Sequence, residues 1–170
     1  MNRRRARPAA AMLVLTLAAS GLAACGLFGK DKPLQVKAPD DVKTELVAIA
    51  QQIFDDAGTG ATRKEMGVTV APCSESADTK DGRFTVVGTW VLFPATGTQP
   101  AALIDTMPDK WKSRGWTITE NDMINGAARR LEADHPDHYA ITLGDNTNGT
   151  ARLQIGSDCY VPPRRDMVDF

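Results

Sequence analysis

The sequence has only two histidines, three cysteines and three tryptophans in 170 residues, and neither charge is in excess. Twenty Lys and Arg against 21 Asp and Glu leave a net charge of −1, which argues against a protein built mainly to hold nucleic acid, since that calls for a basic surplus. The longest apolar stretch, Ala9 to Leu22, runs to about 14 residues, short of the ~20 a helix needs to span a bilayer core. No glycine fingerprint follows a strand and no P-loop occurs. None of Ser74, Ser76, Ser113 and Ser157 sits in a Gly-x-Ser-x-Gly elbow. No Cys-x-x-Cys pair and no internal repeat is present. What remains is ordinary: 42% apolar and 24% charged residues describe a globular chain of single-domain length.

The charges are unevenly placed. Residues 1–24 carry Arg3, Arg4, Arg5 and Arg7 and no acid, leaving 16 basic and 21 acidic groups in residues 25–170, a net of −5. A basic head, a short apolar run and small residues at its end make residues 1–24 a secretory signal peptide. It ends in Leu22-Ala23-Ala24-Cys25, an aliphatic residue, two small ones and a cysteine. This resembles the lipobox of bacterial lipoproteins. The resemblance implies lipid attachment at Cys25 and cleavage after Ala24, so that the chain is anchored to the extracytoplasmic face of the cell membrane through Cys25. The other reading is an ordinary secreted protein with a free Cys25 thiol. Two or more acyl chains give stable anchoring where one does not. Residues 25–38, broken by Gly26, Gly29 and Pro33, then read as a lipidated tether.

With Cys25 consumed by lipid, Cys73 and Cys159 remain as an even pair in a compartment where disulfides persist. Their bridge would close a loop of about 85 residues and stabilise by roughly 4 kcal/mol on the loop-entropy argument. A shared metal is the rival, but neither has a second Cys or His two to four residues away, as zinc spacing wants.

Residues 39–163 read as one α+β domain, with 164–170 a loose C-terminal tail. Val42, Leu46, Ile49, Ile53 and Ala57 form one helical stripe that Gly58 stops. Gly58 to Lys64 reads as loop and Val68 to Cys73 as a strand. Arg83 to Phe93 alternates cleanly. A second helix from Pro100 to Gly115 contains Pro108, which predicts a break near Thr106. Asn125-Gly126 is a hairpin signal pairing Trp116–Met123 with Ala127–Ala133, and turns at His135-Pro136-Asp137 and Asn146–Gly149 mark two further strands. The order α-β-β-α-β-β-β-β predicts an antiparallel sheet of about six strands with two helices on one face and one disulfide. This order, with one Cys early and one near the C-terminus, looks like small lipoproteins of high-GC Gram-positive bacteria, a resemblance that brings no activity with it.

Few residues suggest chemistry. Glu132, Asp134, His135, Asp137 and His138 could hold a divalent ion, yet polar residues also belong at a hairpin tip, and a solvated turn is the expectation. Trp90, Trp111 and Trp116 lie on apolar stripes, which favours core packing over a ligand pocket. The sequence therefore predicts a non-enzymatic binding or interaction module with no catalytic residue, no metal site and no cofactor. Its expected partners are the membrane, through Cys25, and a protein, cell-wall component or apolar ligand; nucleic acid is not among them. The alternative is an envelope hydrolase or metal-dependent enzyme that uses His135 and His138.

Overall fold

A computed structural model describes residues 34–73, 82–124, 128–146 and 148–169; the leader, Cys25 and the Asn125-Gly126 turn lie outside these. Helix α1 (Pro39–Ala57) starts with proline at its first position and Asp40 and Asp41 in its first turn, where a fixed φ and negative charge suit the helix end. It buries Val42, Leu46, Ile49, Ala50 and Ile53 and ends at Gly58, whose φ of 83° a side chain would resist. Strands β1 (Thr62–Pro72) and β2 (Phe84–Phe93) follow. The second helix is broken as Pro108 requires, into α2 (Pro100–Asp105) and α3 (Met107–Ser113) with Thr106 between them. Strands β3 (Thr117–Ile124), β4 (Ala128–His135), β5 (Tyr139–Asp145) and β6 (Ala151–Ser157) complete a single antiparallel sheet in the order β1-β2-β6-β5-β4-β3.

The expected architecture is present, with one disulfide between Cys73 and Cys159, whose Cα atoms lie 6.0 Å apart. It ties the end of β1 to the chain just past β6, on either side of the start of β2, where Phe84 and Tyr160 exchange backbone hydrogen bonds. Three boundaries differ from the sequence reading. Strand β1 begins at Thr62 inside the expected loop; its Thr-Arg-Lys-Glu start has no apolar alternation, and pairing with β2 in register Thr62↔Phe93 to Glu65↔Trp90 makes it extended. Within the stretch read as tether, the Lys37 N–H donates to the Val161 carbonyl and the Val161 N–H to the Gln35 carbonyl. Within the stretch read as tail, a 3₁₀ turn at Arg165–Met167 delivers Val168 into the core.

All helices pack on one face of the sheet. That face carries the core: Leu46, Ile53, Trp90, Ile104, Trp111, Leu131, Ile141 and Leu153 are essentially inaccessible. Gly88 belongs to this face, and its missing side chain is the space that Trp90 and Leu46 occupy. The Trp111 and Trp116 rings meet at a tilt of 43° with centroids 5.1 Å apart and Phe54 meets Trp90 edge-on at 6.1 Å, so all three tryptophans are core residues. Among the described residues no helix is long and apolar enough to cross a membrane.

Candidate functional site

The acidic and histidine cluster of β4 is divided by the sheet's own alternation. Glu132 and Asp134 point to the face without helices, paired with Thr142 and Ala140 of β5. His135 points the other way, between Trp116 at 5.1 Å and Tyr139 at 6.1 Å, and its Nδ1 accepts the Asp137 N–H. Burial, opposed by the Asp137 charge, holds its pKa below the ordinary histidine value. His138 sits in the turn with φ of 65° and 46% of its side chain exposed, 3.9 Å from the Asp158 carboxylate. Among the described residues no three His, Cys, Asp or Glu side chains converge as a metal set. Ser157 ends β6: its Oγ accepts the Val86 N–H at 2.9 Å and donates to the Asp158 carbonyl.

A second cluster joins three distant segments. Glu45 on α1 accepts hydrogen bonds from Lys37 Nζ at 2.5 Å and from the Tyr139 hydroxyl at 2.7 Å, and Lys37 lies 5.1 Å above the Tyr160 ring. Burial works against the Lys37 charge, but the Glu45 hydrogen bond and nearby charges outweigh it and hold the lysine above its ordinary pKa. Burial likewise opposes the Glu45 charge, and its two donors hold it below the carboxylate range. Burial, then the bond to Glu45, push the Tyr139 phenol far up. Perturbed groups of this kind mark functional sites or structural ion pairs. Here the geometry is a latch, because Lys37 belongs to the segment that pairs with Val161 and Glu45 fastens that segment to α1. A cleft of about 460 Å³ beside it is lined by Gln35, Lys37, Glu45, Pro136, Asp137 and His138.

The third feature is the face of the sheet opposite the helices, which no described element covers. Register sets its side chains in rows across the strands. One row holds Thr69, Val87, Gly156, Ala140, Asp134 and Thr117, and the next Gly67, Thr89, Gln154, Thr142, Glu132 and Glu120. A third holds Lys64, Val91, Arg152, Gly144, Arg130 and Asp122. Gly144 is thus flanked by an arginine on each neighbouring strand. With no side chain there, a depression of about 360 Å³ opens, walled by Arg130, Arg152, Thr142, Gln154 and Asn146. Arg130 is bound by Glu132 and lies 3.8 Å from Glu120, while its Nε–H is buried without a hydrogen-bond partner. The side chains of this face are half-buried or exposed. No family model, no curated protein and no solved structure matches the chain.

The latch and the arginine-flanked depression are both absent from the sequence reading. The latch's Tyr139–Glu45 hydrogen bond alone joins residues 94 positions apart, for which a single sequence carries no signal. The second had one available signal, the alternation of β4, β5 and β6, which assigns Arg130, Gly144 and Arg152 to one face once register is known.

Proposed function

We propose that this chain is an exported lipoprotein held at the extracytoplasmic face of the cell membrane by lipid on Cys25, and that its domain is a non-enzymatic binding module which presents the helix-free face of the sheet to its partner. The anchoring half of this reading rests on the Arg-rich head, the apolar run and Leu22-Ala23-Ala24-Cys25. The binding half rests on one observation above all: a six-stranded sheet keeps an entire face uncovered by any described element. Antiparallel sheets tolerate one solvated face, so exposure alone is not recognition. This face adds an unfilled depression walled by two arginines.

A photo-crosslinking amino acid at Thr142, compared with one at the exposed Lys112 of α3, tests the binding half in intact cells. Crosslinks to a reproducible envelope component from position 142 and none from 112 are expected. Equal yields from both positions, or none from 142, overturn it. Cys25→Ser tests the anchor: lipid labelling should vanish and the protein should be unprocessed or shed. The double variant His135→Ala/His138→Ala should keep every crosslink; loss of a hydrolytic activity or bound metal in a folded double variant would replace this reading with an enzyme.

A further inference from the structure

We infer that the depression at Gly144 receives a carboxylate of an acidic glycan whose chain runs along the cationic row towards Lys64. The inference rests on the binding reading above and names its ligand class. Arg152 and Lys64 have no carboxylate partner among the described residues, although the mature domain is acidic overall. Cross-strand register puts both on the helix-free face in one row, with Val91 between them. They stand two strand spacings apart, roughly 10 Å at about 4.8 Å per strand. Arg130 is already bracketed by Glu132 and Glu120 and its Nε–H is buried, so the charges this row presents to a ligand are those of Arg152 and Lys64. The planar fork of Arg152 at the rim of the depression suits a carboxylate.

The surroundings decide what carries that carboxylate. Thr89, Gln154 and Thr142 form the adjoining row, offering hydroxyls and an amide suited to sugar hydroxyl and acetamido groups. Glu120, Glu132, Asp122 and Asp134 occupy the β3–β4 half of the face, and they would repel a polymer charged at every unit. A ligand with single charges separated by neutral sugars escapes that repulsion. Gly144 supplies the space: a Cβ there would meet only the Arg129 carbonyl oxygen, at 3.7 Å.

The test uses the full-length lipidated chain, purified in detergent, and hyaluronan oligosaccharide, which carries one carboxylate per disaccharide. Binding is expected to this probe, and not to neutral chitin oligosaccharide. Arg152→Gln should weaken it about tenfold, as loss of a charge-assisted bond does, and Lys64→Gln should weaken it less while flattening the salt dependence. Gly144→Val should abolish it with an unchanged melting curve, and Lys112→Gln should leave it intact. Equal binding to chitin oligosaccharide, tighter binding to poly-L-glutamate or polyphosphate, or indifference to Arg152→Gln and Gly144→Val would each overturn the inference. If hyaluronan fails while crosslinks from position 142 persist, the ligand class alone is wrong. If those crosslinks are missing too, the binding face is wrong with it.

Discussion

The two faces of the sheet use the same residue for opposite ends. Gly88 on the helix side is a glycine because a Cβ would lie 2.4 Å from the Trp90 ring and 2.6 Å from Leu46. Gly144 on the other side meets nothing closer than a backbone oxygen. One face is filled to the density of a core, where even a methyl group has no room. The other leaves an opening that packing did not demand. The difference teaches that a glycine in a strand is informative only together with its face: inward it reports close packing, outward it reports a vacancy that something else can enter.

Truncating the filled face should have the largest effect. Trp111→Ala removes a wholly buried indole packed against Trp116, and a loss of about 3–5 kcal/mol is expected from chemical denaturation. Trp111→Phe should lose much less than its size implies, because the buried Nε1–H has no hydrogen-bond partner and leaves with the indole. Replacing Cys73 and Cys159 by serine should remove roughly 4 kcal/mol on the loop-closure argument. That loss falls on neither face in particular. The glycine pair is the sharper comparison. Gly88→Val should destabilise by about 1–3 kcal/mol or more through overpacking, whereas Gly144→Val should stay within about 0.5 kcal/mol of wild type. Equal losses at the two positions would dissolve the distinction between the faces.

How far this was readable from the sequence follows from the range of the forces involved. Periodicity and turn chemistry are local, so the stripe from Val42 to Ile53, the alternation of Phe84 to Leu92 and the break at Pro108 are all legible. The bridge between Cys73 and Cys159 is legible by elimination of Cys25, even though 86 residues separate the pair. Strand β1 before Val68 was not, because Thr62 to Glu65 is an exposed edge whose extension comes from β2 and not from its own residues. Charged residues there suit an edge that should not recruit a second sheet. The Glu45 latch was not legible because each of its residues looks like ordinary surface charge until three segments meet. The candidate site was half legible: the alternation of each strand is in the sequence, but the row Arg130–Gly144–Arg152 exists only through register.

The latch should show in the pH dependence of stability, with a smaller effect. Glu45 is held below its unfolded value of 4.5, so its contribution is complete above that pH and fades as pH falls through the depressed folded value. Lys37 and Tyr139 are held above 10.5 and 10.0, so their contributions are complete below those values and fade as pH rises. The latch is therefore closed from about pH 4.5 to 10. His135, held below 6.5 by burial, adds a loss that begins as pH falls below 6.5. Glu45→Gln should cost about 1 kcal/mol or less at neutral pH, given the solvent exposure of the pair. Urea melts between pH 3 and 7 should show a shallower acid limb in the variant. An unchanged limb would mean that the carboxylate is not what fastens residues 35–37.

The smallest expected effect sharpens the comparison most. Thr89→Ala, Thr142→Ala and Gln154→Ala combined remove three side chains from adjacent positions of one row on the helix-free face. None of the three is fully buried; the one hydrogen bond in the set, from the Thr142 hydroxyl to Glu132, is long at 3.4 Å. The triple variant should fall within about 0.5 kcal/mol of wild type per site, as surface substitutions do, with threonine's strand preference setting the sign. The same three changes on the opposite face would delete core contacts and unfold the domain. A loss of several kcal/mol from the triple variant would mean that another part of the chain lies over this face and packs on it, and the surface offered to a glycan would then be an interior one. A stability near wild type together with lost hyaluronan binding would separate the two faces by function: one holds the fold together, and the other contributes little to the fold and carries the recognition.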